Sequence, residues 1–442
     1  MTGKDGPAAS GPANPGNGGL GHNTAPDWYR DGRGHVWLPY TQMRNAPAVP
    51  AVTRAEGVHL TLSDGRVLVD GIASWWTACH GYNHPHIIQA IEEQNRTLQH
   101  VMFAGLAHEP AYKLASRLSG LLPGDLGHVF FSDSGSVSVE IALKMALQYW
   151  SNKGVEGRNR FLCFRGGYHG DTMAAMAVTD PGNAFHAAFR GILPEAIVAD
   201  IPKNQADLDA LDALIADHRQ SLAAIIMEPL VQAGGGMKMH APEILAAIRQ
   251  SAKRHDVLFI ADEIFTGFGR TGTLFASEAA EIVPDIICLG KAIAGGAMSM
   301  AATAATDEVY DAFLSDDPSK ALMHGPTFMA NPLACAAANA SLDLFETEPR
   351  LVQAARIETA LKEAFEPCRG LPGVKDIRVK GAVGAIQLDR AVNSAVLSER
   401  FQDEGVFLRP FRDIVYLTPA IIIQPDELGK LTGAIRQIVE AG

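Results

Sequence analysis

From about residue 86 onward, short apolar runs alternate with helix-length stretches whose apolar positions recur on one face. The runs lie at 128–131, 160–164, 223–227, 257–261 and 285–289. Near-continuous apolar strands separated by helices are typical of a parallel sheet that is covered on both faces. The pattern therefore predicts an α/β fold, with a large domain built on a mostly parallel sheet over residues 86–331.

The two ends of the chain have a different pattern. Residues 58–62 and 66–70 alternate in polarity around Asp64-Gly65, which predicts a β-hairpin. Beyond residue 332 the order is helix, helix, strands around 377–388, a helix over 393–404, more strands and a last helix near 426–440. We expect a smaller α+β domain built from both ends, residues 27–85 and 332–442.

The first 26 residues contain seven Gly and four Pro, and Leu20 is the one large aliphatic residue among them. Such a segment buries too little apolar surface to offset the entropy of ordering, so we expect residues 1–26 to form a disordered tail.

Composition narrows the possible partners. The 442 residues are 47% hydrophobic and 19% charged, enough for a large core, and Lys+Arg 37 against Asp+Glu 49 gives a net charge of −12. That balance disfavours nucleic acid. No apolar run is long enough to span a membrane, and the N-terminus lacks a signal-peptide pattern, so we expect a soluble cytoplasmic protein without a membrane partner. Five scattered cysteines predict reduced, buried thiols.

Two charged residues follow neighbouring predicted strands. Asp262 closes the run 257–261, and Lys291 follows the run 285–289 through Gly290. The carboxyl ends of parallel strands open into the ligand crevice of an α/β sheet, so both side chains are expected at the same mouth. A lysine beside a carboxylate suits an enzyme that binds an aldehyde cofactor covalently. A buried ion pair is the competing interpretation.

A candidate phosphate site follows the run 128–131. The segment Ser-Asp-Ser-Gly-Ser at 132–136 opens a predicted long helix. Free N–H groups and the dipole at a helix N-terminus favour an anion, although serine capping alone also explains these residues. The segment 267–272 is glycine-rich but lacks the spacing of a nucleotide-binding loop.

Two further motifs indicate a function less specifically. Tyr168 follows the run 160–164 and is expected at the same mouth, where its ring could stack on a cofactor. His80 and His84 have the spacing of a metal pair, but Pro85 follows at once and no glutamate lies between them, so no metal site is predicted.

Together these segments resemble the class III aminotransferases, which have fold type I and use pyridoxal 5'-phosphate. Five segments narrow the resemblance to one group within this class; they lie at 37–41, 74–77, 80–85, 100–103 and 323–329. The pair Trp75-Trp76 and the block His-Gly-Pro-Thr-Phe-Met at 324–329 resemble the class III enzymes of biotin synthesis. Those enzymes transfer an amino group from S-adenosyl-L-methionine to 8-amino-7-oxononanoate.

The resemblance implies a role for each site residue. Lys291 is the implied catalytic residue, which binds the cofactor covalently and moves a proton. The implied cofactor-binding residues are Gly135, Ser136, Tyr168, Glu228, Asp262, Lys291, Pro326 and Thr327. The implied substrate-binding residues are Tyr40, Trp75, Tyr168, Lys291, Gly325, Arg409 and Tyr416. Pro326 and Thr327 are expected to act in the neighbouring subunit of a homodimer with shared active sites.

Alternatives remain. Leu38 and the segment 418–421 depart from the family pattern near the expected pocket, which leaves open a variant that uses lysine as amino donor. Another class III transaminase is the nearest rival, although Gln232 is followed by Ala-Gly here and not by the Gly-Glu of the ornithine and 4-aminobutyrate enzymes. A third interpretation is a catalytically inactive protein that only binds the cofactor, and the presence of both Lys291 and Asp262 argues against it.

Overall fold

A computed structural model describes residues 25–182, 184–189 and 191–440 of the chain. The predicted tail at 1–26 therefore lies outside the described residues except for its last two. The strands are β1 Val52–Glu56, β2 His59–Leu62, β3 Val67–Asp70, β4 His128–Ser132, β5 Arg160–Phe164, β6 Ile197–Ala199, β7 Leu222–Met227, β8 Val231–Gln232, β9 Lys238–Met239, β10 Leu258–Asp262, β11 Ile286–Leu289, β12 Ala301–Ala305, β13 Val374–Lys380, β14 Val383–Leu388, β15 Val406–Phe407 and β16 Ile414–Leu417.

The helices flank and connect these strands. They are α1 Asp27–Gly32, α2 Ala73–Trp76, α3 Pro85–Thr97, α4 Glu109–Leu121, α5 Gly135–Asn152, α6 Met173–Ala177, α7 Gln205–His218, α8 Pro242–Arg254, α9 Ala276–Ala279, α10 Asp307–Asp311, α11 Pro332–Thr347, α12 Arg350–Phe365, α13 Ser394–Asp403 and α14 Pro425–Glu440. Helices α3, α4, α8 and α11 each carry a proline in their first two positions, where its missing N–H costs no intrahelical bond.

The centre of the molecule is a seven-stranded sheet in the order β4-β12-β11-β10-β7-β5-β6. Six strands are parallel and β12 runs antiparallel to both of its neighbours. All six residues of β7 are buried, as the near-continuous apolar pattern requires. The predicted mostly parallel α/β sheet is confirmed.

Two strands of this sheet were not predicted. β12 has the sequence Ala-Ala-Thr-Ala-Ala, whose alanines have low strand propensity, and β6 is only three residues long. β12 is a strand because it lies buried between β4 and β11 and completes both hydrogen-bond ladders.

The chain ends meet on a second sheet. The predicted hairpin is confirmed as β2 and β3, and β15 pairs in parallel with β3, with Val406 opposite Val69 and Phe407 opposite Asp70. The strands predicted around 377–388 form an antiparallel sheet in the order β13-β14-β16. The domain limits 27–85, 86–331 and 332–442 remain a prediction.

All five cysteines are buried free thiols, as the sequence predicts. Among the described residues, none of the helices has the length and apolar character to cross a lipid bilayer.

Candidate active site

Lys291 begins a single 3-10 turn, Lys291–Ala294, directly after β11 and Gly290. Its backbone has a positive φ of 46°, and its Nζ lies 4.8 Å from the centroid of the Trp76 ring. Burial lowers the pKa of the Lys291 ammonium, while the nearby carboxylates of Asp262 and Glu228 oppose that change. A lysine with a lowered pKa has a larger neutral fraction, which makes its amine a better nucleophile and base.

Asp262 ends β10, next to the strand that leads to Lys291, and is opposite Cys288 in the ladder. Its Oδ2 lies 2.6 Å from Nδ1 of His169, and its Oδ1 accepts from the backbone N–H of Ile264 at 3.1 Å. Asp262 and His169 are both buried. His169 and the Ile264 backbone therefore hold the Asp262 carboxyl in one orientation.

Glu228 follows β7 and is fully enclosed. Its two carboxylate oxygens accept from the backbone N–H groups of Tyr168 at 3.0 Å and Ala233 at 2.9 Å. The pKa of Glu228 is raised to about 7. Burial is the largest cause and the Asp262 charge adds to it, while His169 and the two backbone donors oppose the rise. Glu228 therefore fixes the backbone that carries Tyr168 and contributes to the electrostatics around Asp262.

The N-terminus of α5 lies beside the Lys291 turn. Oγ of Ser134 caps the helix by accepting from the Val137 N–H at 3.4 Å, while the N–H groups of Gly135 and Ser136 lie in the first turn and have no acceptor within the helix. A Cβ on Gly290 would lie 3.6 Å from the Gly135 Cα, which shows how closely the two backbones approach. This end of α5 is a seat for an anion next to the lysine.

The ring of Tyr168 lies against glycine backbone. A Cβ on Gly234 would come within 2.5 Å of the Tyr168 Cβ. A Cβ on Gly170, whose φ is +129°, would come within 2.1 Å of Oγ of Ser136. Only glycine fits at these two positions, so the backbone can close around Tyr168 and the end of α5.

Polar side chains surround the hydroxyl group of Tyr168. Its hydroxyl lies 3.1 Å from the Tyr40 hydroxyl, which also donates to Asp171. His186 Nε2 lies 3.1 Å from the other Asp171 oxygen, and the His186 ring is nearly parallel to Tyr168 with centroids 6.1 Å apart. Asp171 therefore connects Tyr40 and His186 beside the ring.

The expected substrate residues also come together. The Arg409 guanidinium carbon lies 4.5 Å from the centroid of the Trp75 ring, and Tyr40 meets the same ring edge-on at 6.1 Å. Tyr416 is buried with its centroid 6.5 Å from that of Trp76. Burial raises the pKa of Tyr416, and the positive charge of Arg409 opposes this change.

Gly325, Pro326 and Thr327 lie elsewhere, in a loop that follows a 3-10 turn at Pro318–Lys320. Gly325 and Thr327 are exposed. Lys144 of α5 holds the start of this loop, because its Nζ donates to the Met323 carbonyl at 2.8 Å. Within the described part of one chain, no hydrogen bond or ring contact joins these three residues to the group around Lys291.

Two motifs have structural roles. His80 is buried, with Nε2 at 3.0 Å from Oγ of Ser341 and Nδ1 accepting from Arg350 at 3.0 Å, so both ring nitrogens have protein partners. The glycine-rich segment 267–272 places Arg270 in the interior, where it donates to the carbonyl oxygens of Ala382 and Pro419.

Sequence reasoning assigned no role to Trp76, His169, Asp171 and His186. The one available signal was position, since His169 and Asp171 follow the same strand end as Tyr168, and Trp76 follows Trp75. Their partners lie from 15 to more than 200 residues away along the chain.

The family described as Aminotransferase class-III matches residues 40–439. The chain belongs to the class-III aminotransferases. An adenosylmethionine-8-amino-7-oxononanoate aminotransferase of Mycobacterium leprae is 45% identical over 91% of this chain and 94% of its own length. One of Corynebacterium glutamicum is 44% identical over 92% and 97%.

Solved structures of class-III aminotransferases share the fold. The adenosylmethionine-8-amino-7-oxononanoate aminotransferase of Methanocaldococcus jannaschii has a TM-score of 0.87 and 32% identity, covering 93% of this chain and 98% of that one. An amine transaminase from an uncultivated Pseudomonas species has a TM-score of 0.86 and 32% identity, covering 92% and 98%.

Class-III aminotransferases use pyridoxal 5'-phosphate, and the residues present here fit that group. The Lys291 amine suits its aldehyde, and the carboxyl group of Asp262 suits its ring nitrogen. The N–H groups that begin α5 suit its phosphate, and the Tyr168 ring beside Gly234 suits its ring face. The buried Nε2 of Gln232 also lacks an acceptor among the described residues, as expected beside a polar ligand site.

Proposed function

We propose that this chain is a pyridoxal-phosphate-dependent aminotransferase that moves an amino group from S-adenosyl-L-methionine to 8-amino-7-oxononanoate and makes 7,8-diaminononanoate for biotin synthesis. The observation that carries the proposal is the group of Lys291, Asp262 and the N-terminus of α5 at one crevice, with Arg409 over Trp75 beside it. The relatives at 45% and 44% identity support the choice of substrates.

When bound, pyridoxal phosphate supplies an electron sink that stabilises negative charge on the substrate carbon. Lys291 would hold the cofactor through its Nζ, and the same amine would accept and return the proton at the substrate carbon. Its lowered pKa suits both tasks because the neutral amine is the reactive form. The Trp76 ring 4.8 Å away restricts where Nζ can move.

The remaining cofactor residues bind and orient. Asp262, which His169 contacts at 2.6 Å, would pair with the ring nitrogen and favour its protonated form. The backbone of Gly135 and Ser136 at the start of α5 would bind the phosphate, and Tyr168 would pack on the ring. Glu228 acts one step away, through the Tyr168 backbone that it holds.

The proposed substrate pocket consists of Tyr40, Trp75, Arg409 and Tyr416 of one chain, with Gly325 supplied by the other subunit. The keto acid has a distal carboxylate on an apolar chain, so one fixed cation and several rings suit it. Arg409 supplies a planar guanidinium, whose two donors match a carboxylate. Trp75 and Tyr40 supply ring faces and edges that can contact the sulfonium donor.

We infer a homodimer in which Gly325, Pro326 and Thr327 of each subunit complete the site of the other. The exposure of Gly325 and Thr327, and their separation from the Lys291 group of their own chain, support this arrangement. Met323 and Phe328 beside them are 76% and 57% exposed, which is unusual for large apolar side chains without a partner surface.

We also infer that the protein is located in the cytoplasm. Its five cysteines are free thiols, which a reducing compartment maintains.

The rival functions share this fold. The amine transaminase neighbour has nearly the same TM-score and the same identity as the biotin-pathway neighbour, so the fold does not select the substrate. A lysine-using variant of the same enzyme differs only in donor, and Leu38 and the segment 418–421 lie in the parts of the chain where the donor pocket is expected.

The test is an assay of the purified dimer with 8-amino-7-oxononanoate and, in separate arms, S-adenosyl-L-methionine, lysine or a simple amine. Formation of 7,8-diaminononanoate with S-adenosyl-L-methionine as the best donor is expected. Best turnover with lysine would replace the donor, and turnover of simple amines with pyruvate as acceptor, but not with 8-amino-7-oxononanoate, would favour the amine transaminase.

The site assignment has its own test. Borohydride reduction followed by peptide mapping should label Lys291, and Lys291→Ala should lose both the label and turnover. A label on another lysine would contradict the assignment.

A further inference from the structure

The segment α2 is a left-handed turn built without glycine. Its four residues have φ values of 45° at Ala73, 48° at Ser74, 56° at Trp75 and 76° at Trp76. The left-handed region brings the Cβ of an L-residue close to the following carbonyl, so consecutive non-glycine residues there are strongly disfavoured. A turn of this kind persists only where the surroundings impose it.

The turn sets the direction of two rings in the proposed active site. Trp75 meets Arg409 at 4.5 Å and Tyr40 at 6.1 Å. Trp76 meets Nζ of Lys291 at 4.8 Å, on the cofactor side. A right-handed turn of the same residues would direct both side chains elsewhere, so the left-handed form is what assigns one tryptophan to each side of the site.

Asp70 is the group that holds this turn. It is buried at the end of β3, its Oδ1 accepts from the Ile72 N–H at 2.8 Å, and its Oδ2 accepts from the Ser74 N–H at 3.0 Å. The Tyr82 hydroxyl donates to the same carboxylate and lies 2.7 Å from Oγ of Ser74. The carboxylate thus binds the turn at two backbone positions and is itself held by Tyr82.

Asp70 also has a link to the arginine. Its backbone is opposite Phe407 in the β3–β15 pair, and Phe407 lies two residues before Arg409. The strand that carries Asp70 therefore fixes both partners of the contact between Trp75 and Arg409.

We propose that Asp70 is a positioning residue for substrate selection, acting through the left-handed turn and Trp75 on the pocket for the keto acid. The inference rests on the proposed function. Asp70 holds the turn with acceptor oxygens that asparagine cannot fully replace, because an amide offers one oxygen where the carboxylate offers two.

The test compares Asp70→Asn and Tyr82→Phe with a matched control, Asp285→Asn. Asp285 is a partly buried carboxylate that accepts from the backbone N–H of Phe259 at 2.7 Å and pairs with Arg249, but it precedes β11 at the opposite end of the sheet from Lys291. Asp70→Asn should raise the KM for 8-amino-7-oxononanoate about tenfold, which corresponds to ~1.4 kcal/mol. Tyr82→Phe should act in the same direction, and Asp285→Asn should lower the melting temperature and leave KM unchanged.

A double-mutant cycle separates positioning from general destabilisation. In a Trp75→Ala background, Asp70→Asn should raise KM less than about threefold, because the ring through which it acts is gone. Near-ultraviolet circular dichroism should show loss of tryptophan bands in Asp70→Asn and retention in Asp285→Asn. Additive effects on KM, or unchanged bands with unchanged KM, would overturn the role of Asp70.

Failure of the proposed function gives a different result. Wild-type enzyme without turnover of the keto acid would remove that function, while the tryptophan bands of Asp70→Asn and Tyr82→Phe would still decide whether Asp70 holds the turn.

Discussion

Removing the Arg409 guanidinium should impair the half-reaction with the keto acid far more than the half-reaction with the amino donor. The proposed keto substrate carries a distal carboxylate, and Arg409 is the cation that stacks on the Trp75 ring in the proposed pocket. The donor carries its carboxylate next to the reacting carbon and a positive charge at its sulfur, so a guanidinium placed for the distal carboxylate of the keto acid should contribute less to donor binding. Arg409→Ala therefore separates the two substrates by the position of their carboxylates.

The magnitude follows from two interactions. A hydrogen bond to a charged group contributes about 1.5–3 kcal/mol, so loss of the carboxylate contact weakens keto-acid binding by roughly 10- to 100-fold. The contact of Arg409 with Trp75 at 4.5 Å is half-exposed and contributes about 0.5–1 kcal/mol. Its loss loosens Trp75 in both half-reactions, so the donor half-reaction should slow by less than about fivefold.

The assay is single-turnover absorbance of each half-reaction, started from the aldehyde and amine forms of the cofactor. Arg409→Lys keeps the charge without the planar fork and should fall between wild type and Arg409→Ala. Arg369→Ala is the matched control, because Arg369 is a surface arginine paired with Glu366 and should leave both half-reactions unchanged. Equal losses in both halves for Arg409→Ala, or no loss in either, would refute this reasoning.

Three further predictions test the electrostatics, the assembly and the tail. The pKa of Glu228 is raised to about 7 in the folded state, mainly by burial, so the stability that this carboxyl contributes to the cofactor-free protein is lost as pH rises from about 4.5 to 7. The melting temperature of Glu228→Gln should therefore fall less with pH over that range, and the same dependence of melting temperature on pH in both proteins would contradict the assignment. Sedimentation should show a dimer, with an interface on the order of 2,000 Å² or more, and a fully active monomer would exclude shared sites. Deletion of residues 1–24 should leave activity and melting temperature nearly unchanged, because that composition offers little to bury; a large loss in either assay would show that the tail is required.

Much of the large sheet and the cofactor side of the site could be predicted from the sequence. Buried parallel strands are apolar on both faces, so they are visible as short continuous runs, and the residues just after them share one edge. That rule predicted that Asp262, Lys291 and Tyr168 lie together, and the structure places Asp262 at the end of its strand and the other two after theirs. Glu228 and Arg409 were identified from the resemblance. Glu228 also directly follows the run 223–227, so the same rule could have found it, whereas Arg409 has no local pattern that marks it.

The tertiary structure decided what depends on partners distant in the chain. β12 is a strand because of its place between β4 and β11, against the low strand propensity of its alanines. His169 binds Asp262 across 93 residues, so neither local sequence marks the pair. The left-handed turn at 73–76 is the clearest case, because local sterics favour the right-handed form and the buried Asp70 carboxylate overrides that preference. Local conformational preferences depend on residues that are neighbours in the sequence, so the sequence reveals them. Hydrogen bonds between distant buried groups exist only once the chain has folded.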